Sequence, residues 1–274
     1  GCMDENACNF SAQAMEDDGS CEYTFDCAGI CGGIFIEDAC GNCYNPEAIV
    51  QLEDITFNYS GFIENYIVPD NVTSLYIEVY GAQGGNSCSN LGGLGAMMSG
   101  EIEVTPGQEL QILVGQQPDG YNGGAQVNDA AGGGGGSFVV SSDNIPLIIA
   151  GGGSGATCYS TGNPGLITEN GGDGDNCAGY GGTNGNGGGD SYYCNQGTGG
   201  GGGFFSNGAS SSKWGYQHGY GFIQGGAGGY SGGGTGYGDG GFGGGGGTYY
   251  SNTGGGPGGG YSGGGAPYHG NGYS

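Results

Sequence analysis

The chain has 274 residues, of which 77 are glycine and only 35% are hydrophobic, so a conventional core can occupy only part of its length. One basic residue, Lys213, stands against 26 Asp and Glu, a formal net charge of -25. Nucleic-acid binding needs Lys and Arg to displace counterions, and a polybasic membrane patch needs them in clusters, so this composition excludes both.

Residues 1–45 hold seven of the eleven cysteines: Cys2, Cys8, Cys21, Cys27, Cys31, Cys40 and Cys43. No hydrophobic core could form there unaided. The density reads as a disulfide-stapled module with little regular structure, made in an oxidising compartment. The competing zinc reading starts from the CxxC Cys40-Gly-Asn-Cys43 but lacks a second CxxC at finger spacing. Asp4, Glu5, Glu16, Asp17 and Asp18 crowd into the same module. Calcium takes about six to eight oxygens, so this stapled acidic loop is a candidate calcium site without EF-hand spacing. The start "GCMD" carries no signal peptide, and no apolar run reaches transmembrane length, which reads as a processed or excised piece of an exported protein with no membrane insertion.

Residues 49–150 read as β. "SLYIEVYGA" sets Leu75, Ile77 and Val79 against Tyr76, Glu78 and Tyr80, the period-two pattern of a half-buried strand. "GEIEV" (100–104), the turn Pro106-Gly107 and "ELQILVG" (109–115) read as a hairpin. "ITFNY" (55–59), "NYIV" (65–68), "SFVV" (137–140) and "PLIIA" (146–150) add further strands. Short strands with Gly, Pro and Asp turns predict an all-β fold, a β-sandwich or jelly roll.

Residues 151–274 hold 53 glycines and show neither helical nor strand periodicity. A Gly/Ser linker is one reading. Against it stand the aromatics, from Phe204 to Tyr261, the cysteines Cys158, Cys177 and Cys194, and the length. The alternative is a bundle of polyglycine II helices packed with the sandwich. Each is a left-handed extended helix rising about 3.1 Å per residue, bonded to its neighbours because glycine lets backbones approach. Disulfides among Cys88, Cys158, Cys177 and Cys194 would restrain the unfolded chain. Eleven is odd, so one thiol is free, intermolecular or paired outside the chain.

No Ser/His/Asp order or nucleophile elbow accompanies His218 and His269. The many G-x-G-x-x-G matches follow from glycine content and carry no phosphate logic, so an enzyme is not expected. "DGDN" (173–176) is a second, weaker calcium candidate. Tyr230, Tyr237, Phe242, Tyr249, Tyr250 and Tyr261 offer aromatic faces on a nearly uncharged half, suited to interfaces with sugars or with copies of the chain; the alternative is that such rings only cap the polyglycine bundle. The sequons at Asn9, Asn58 and Asn71 would be N-glycan acceptors in a eukaryotic source.

"GCMDENACNFSAQAMEDDGSCEY" and "DCAGICGGIFIEDACGNC" resemble the short Cys-rich repeats of secreted bacterial surface proteins. "YIVPDNVTSLYIEVYGAQGG", "LGGLGAMMSGEIEVTPGQELQILVGQQ", "GGGGGSFVV", "PLIIAGGGSGA" and "GGFGGGGGTYYSNTGGGPGGGYSGGG" resemble the glycine-rich domain of anaplastic lymphoma kinase and leukocyte tyrosine kinase ectodomains, and similar arrangements in phage tail and bacterial adhesins. The first resemblance implies an extracellular, modular context. The second implies a β-sandwich with inserted polyglycine helices and no kinase. Together with the composition, they lead to an expected secreted or cell-surface structural protein that assembles with itself into a filament or surface layer. The alternative is an adhesion or receptor-type module for glycans or another surface protein.

Overall fold

A computed structural model describes residues 1–37, 41–45, 54–118, 130–174, 179–190, 198–211, 217–232, 238–248 and 254–267. The described residues contain no α-helix, and the fold is all-β. The chain divides into two compact units, Gly1–Thr56 and Phe57–Ser274.

The first unit is a set of turns held by Cys2–Cys21, Cys8–Cys31 and Cys27–Cys43. Among its described residues one ladder joins β1 (Ile36–Glu37) to β2 (Cys43–Tyr44). Most of its described residues are exposed, and among them only Cys2 and Ala7 are buried. Covalent links therefore replace the missing core, as a module this small requires. Cys43 is bonded to Cys27 and is not available to a metal, which removes the zinc reading. Cys40, Cys177 and Cys194 lie outside the described residues.

In the second unit β3 (Glu64–Ile67), β6 (Glu109–Leu113), β7 (Ser137–Ser141) and β8 (Pro146–Ala150) form an antiparallel sheet in the order β3-β6-β7-β8. A separate ribbon pairs β4 (Ser74–Tyr80) with β5 (Met97–Glu103) over seven residues, from Ser74 opposite Glu103 to Tyr80 opposite Met97. The ribbon lies against β7 and β8. One apolar cluster joins the two layers through Val79 of the ribbon and Leu110, Val139, Ile148 and Ala150 of the sheet, with Ile77, Met98 and Ile102 packed on it.

Two expected elements differ. The strands flanking Pro106-Gly107 do not form a hairpin: β5 pairs with β4, and both edges of β6 are taken by β3 and β7. The turn, closed by Gln108 N–H donating to Thr105 O at 2.9 Å, carries the chain from one layer to the other. Residues 55–59 join no ladder; Phe57 instead sets its ring edge-on to Tyr66, with centroids 5.9 Å apart.

The glycine-rich chain is packed onto this β framework. Its backbone bonds repeat every third residue. Gly81 and Gly84 donate to Ala96 and Gly93, each at 2.9 Å; Gly93 and Ala96 donate to Ser154 and Gly151; Gly152 and Gly155 donate to Gly259 and Gly256. A strand would bond at period two; period three is the signature of three-residue-per-turn helices lying side by side. Segment 131–136 has six such neighbours. It donates to 153–156, 243–246 and Gln116, and accepts from 82–85, 256–259 and Gly241. All its residues are buried.

Close approach explains the glycines. A Cβ on Gly152 would overlap the Gly134 carbonyl, and one on Gly133 would overlap that of Pro257. Five strands run directly into this bundle: β4 into 81–85, 91–96 into β5, β6 into Gly115 and Gln116, 130–136 into β7, and β8 into 151–156. At the junction Leu113, Phe138, Val140, Phe204 and Phe222 are buried together, with Phe242 and Tyr261 packed on them. Phe204 and Phe222 come from turns of the glycine-rich chain, so these aromatics cap the bundle where it meets the sheet.

With their N–H groups bonded and buried, the amides of Gly226, Gly229, Gly241, Gly256, Gly259, Gly260 and of residues 243–247 and 263–266 are expected to exchange slowly in native-state hydrogen exchange. Fast exchange throughout those residues would make the segment a linker.

Candidate interaction surfaces

A protein whose glycine-rich segments bond chiefly to one another interacts through what its surface leaves uncovered. The ribbon β4–β5 and segments 81–85 and 91–96, which continue it, form one outer layer. Segment 81–85 bonds to 132–135 and 153–156, and 91–96 bonds to 81–84, 151–154 and 162–165. The side of 91–96 away from these partners carries Leu91 and Leu94, 60% and 67% exposed, and Met97 follows at 44%.

Residues three apart share one side of a three-fold helix, spaced by about 9 Å. Met97 stands opposite Tyr80 in the ribbon, and Tyr76 follows four residues along the same face; both tyrosines are more than half exposed. Leu91, Leu94, Met97 and Tyr80 thus form a row of uncovered apolar and aromatic groups along one layer, and Tyr76 continues it beyond the exposed Glu78. Contiguous exposure of this kind marks interaction surfaces. Tyr80 is oriented by its hydroxyl, which donates to Glu78 Oε2 at 3.0 Å, and that bond raises the phenol pKa. Glu101, opposite Tyr76, accepts from Ser74 Oγ at 2.9 Å, so with Glu78 two carboxylates stand at the Tyr76 end of the row. Sequence reasoning missed the row; its signal was the L-x-x-L-x-x-M spacing from Leu91 to Met97.

A second surface lies beside β8. An open groove of about 340 Å³ is lined by Met98 from the ribbon, Leu147 and Ile149 from β8, Ile167 and Glu169 from the loop after 162–165, and Tyr261. At the other end of 81–96, Cys88–Cys158 ties the turn 86–90 to the turn 157–160. Asn90 Nδ2 donates to Thr157 O at 2.9 Å there, and Tyr159 is exposed beside it.

Of the expected interface aromatics, Tyr230 is exposed. Phe242 and Tyr261 are half-buried against the aromatic junction, so their rings serve packing. Tyr237, Tyr249 and Tyr250 lie outside the described residues.

The candidate calcium carboxylates act locally. Asp4 Oδ1 accepts from Asn6 N–H at 2.9 Å and its Oδ2 from the Tyr23 hydroxyl at 3.0 Å. Asp17 and Asp18 accept from the amides of Gly19 and Ser20, two residues on in each case. Glu16 contributes its carbonyl to the Gly1 ammonium. Among the described residues no three His, Cys, Asp or Glu gather as a metal site. Asp173 of the second calcium candidate accepts from Gly181 N–H at 2.8 Å.

The Ser20 side-chain bond, with the Gly1 ammonium and the Ser20 amide, holds the Asp18 pKa at about 2. A depressed carboxyl favours the folded turn above its unfolded value of 3.8, and that contribution is lost as pH falls through about 2. An NMR titration of the Asp18 carboxyl is expected to give that low midpoint; an ordinary aspartate midpoint would show the turn to be open in solution.

Asn9 uses its carboxamide at both ends, accepting from Glu22 N–H at 2.9 Å and donating to Ser20 O, so a glycan there would leave Nδ2 a single N–H for the second bond. Asn58 and Asn71 are exposed, and Asn71 holds the left-handed backbone at φ 70°. His218 meets Ser210 Oγ at 2.7 Å and packs on Tyr220, and burial lowers its pKa. His269 lies outside the described residues.

The four disulfides among the described residues indicate an extracellular or secreted protein. Among the described residues no helix is long and apolar enough to cross a membrane. Compared with known proteins, the chain matches no protein family and no curated protein.

Proposed function

We propose that this chain is a structural subunit, exported to the cell exterior, that assembles with copies of itself into a fibre or surface layer. The observation that carries this reading is the uncovered row Leu91, Leu94, Met97 and Tyr80, continued by Tyr76 past Glu78, on a body whose described glycine-rich segments are bonded to one another. Such a body changes shape little on contact, so subunits can stack without an ordering cost. The resemblance to Cys-rich repeats of surface proteins supports an extracellular setting, and an unpaired cysteine would allow a covalent link. Head-to-tail contacts between rigid units propagate whenever the rotation does not close.

A second reading, an adhesion module for glycans or a surface protein, is favoured by exposed Tyr159 on disulfide-pinned turns. Electron microscopy of the non-reduced protein, with sedimentation in the presence and absence of reductant, separates the two. Regular filaments or sheets are expected. Monomers that persist at high concentration would remove self-assembly and leave the adhesion module.

A further inference from the structure

We infer that the open groove beside β8 is a binding site for a neutral oligosaccharide chain. This rests on the adhesion reading, which it deepens, and is independent of self-assembly. The groove holds about 340 Å³, within the range of small-ligand sites. Being open, it can admit part of a polymer that runs on beyond it, where an enclosed cavity would select a free small molecule. Met98, Leu147 and Ile167 give it apolar walls, and Ile167 is 72% exposed. Glu169, Asn170, Tyr261 and Ser262 bring polar atoms into the same groove. A few polar groups in an apolar cleft are what a ligand site needs to fix orientation. Among the described residues the Asn170 carboxamide, the Glu169 carboxylate and the Tyr261 hydroxyl have no hydrogen-bond partner, so their capacity is left for a ligand. The backbone that carries them is held. Thr168 Oγ1 donates to Asn170 O at 2.9 Å, Gly171 N–H donates to Gly182 O at 2.9 Å, and Phe204 N–H donates to Tyr261 O at 2.8 Å. Ser262 is buried and its Oγ accepts from Gly185 N–H at 3.0 Å, which leaves its O–H to donate. A site so fixed has little to lose in ordering on binding.

Charge and the shape of the edge select the occupant. The lining has one carboxylate, Glu169, and no Lys, Arg or His. In a chain of net charge -25, uronates, sulfated sugars and phosphates are repelled. A peptide strand would need the backbone of β8. Pro146 has no N–H to offer, and the register passes from Val140 opposite Pro146 to Val139 opposite Ile148, so Leu147 bulges and only 148–150 are regular. Recognition therefore falls to side chains. A pyranose suits them, since it has C–H faces and a rim of hydroxyls that both donate and accept. Glu169 accepts from neighbouring sugar hydroxyls, Asn170 both donates and accepts, and the aliphatic wall with the Tyr261 ring covers the C–H faces.

The test titrates the whole non-reduced chain with neutral hexasaccharides of glucose, mannose, galactose and N-acetylglucosamine, and with the hexasaccharide of galacturonate. Amide NMR shifts map the contact and calorimetry gives the affinity. At least one neutral hexasaccharide is expected to shift the amides of Ile167, Glu169, Asn170 and Tyr261, and the galacturonate chain none of them. Asn170→Ala is expected to weaken binding about tenfold and Tyr261→Phe, which keeps the ring, about threefold, both with the far-UV spectrum unchanged. Tyr159→Ala, on the disulfide-pinned turns, is expected to leave the affinity as it was. Neutral-sugar binding that is lost in Tyr159→Ala and kept in Asn170→Ala overturns the groove and leaves the adhesion reading standing. Equal binding of the galacturonate chain also overturns it, as does a groove that ignores the sugars and takes a hexapeptide of Gly and Ser. No binding of any neutral hexasaccharide overturns the groove and glycan adhesion together, leaving self-assembly or a protein partner.

Discussion

Gly152→Ala is expected to lower the melting temperature of the glycine-rich unit by roughly 6–12 °C, and Gly100→Ala to leave it nearly unchanged. Both replace a glycine by the residue with one more carbon. At Gly152 that carbon would overlap the carbonyl of Gly134, and Gly152 N–H is also bonded to Gly259 O at 2.8 Å. The neighbouring segments must separate, and separation stretches bonds on several sides because each segment serves several partners. Overpacking a tight interior costs about 1–3 kcal/mol, and here the obstructing atoms are backbone and cannot rotate away, so about 3 kcal/mol or more is expected. For a unit of this size each kcal/mol is worth roughly 2–4 °C. At Gly100, in β5, nothing lies within 4 Å of the added carbon. Differential scanning calorimetry of the two variants decides the matter. Equal effects would mean that the three-residue bond pattern does not hold the segments together.

The same contrast shows what the sequence could and could not say. β4 was legible because Leu75, Ile77 and Val79 alternate with Tyr76, Glu78 and Tyr80, and side chains report which face is buried. The bundle was legible only as a possibility. A polyglycine helix has period three, but glycine carries no side chain to display it. The period surfaces only where other residues interrupt, as in Leu91, Leu94 and Met97. Strand partners were not legible either. Pro106-Gly107 is equally good chemistry for a hairpin and for a crossing between layers, and the choice was made by β4 and β7 occupying the edges of β5 and β6. Seven crowded cysteines marked the stapled module but not its pairing, which depends on turn geometry such as the Asp17 and Asp18 bonds to Gly19 and Ser20. Aromatics set among glycines read both as interface and as caps of the bundle, because glycine neighbours carry no pattern to tell the two apart. Phe242 and Tyr261 belong to the junction, since a glycine bundle can supply no apolar cap of its own.

That junction should be the most sensitive place in the molecule to side-chain truncation. Phe204→Ala is expected to cost about 3–5 kcal/mol, the range for emptying a fully buried aromatic site. Phe204 has no exposed surface and stacks on Phe222 with centroids 5.2 Å apart and planes 8° from parallel. It also lies 6.5 Å from Phe138 of β7 and 6.4 Å from Tyr261. These rings come from distant parts of the chain, so one truncation loosens several turns together. Collapse cannot refill the space, because the surrounding segments are fixed by period-three bonds to one another.

Phe205→Ala is the control. Its ring meets Phe204 edge-on at 4.8 Å but is half exposed, so about 1 kcal/mol is expected. Phe204→Leu should restore most of the loss, since it returns apolar volume without the stacking geometry. Chemical denaturation of the three variants gives the comparison. If Phe204→Ala and Phe205→Ala cost the same, the turns are held by their backbone bonds alone. A large, selective loss at Phe204 would mean that the sheet stabilises the glycine bundle through its aromatic caps, and that a sequence so rich in glycine folds because a few Phe and Tyr anchor its turns.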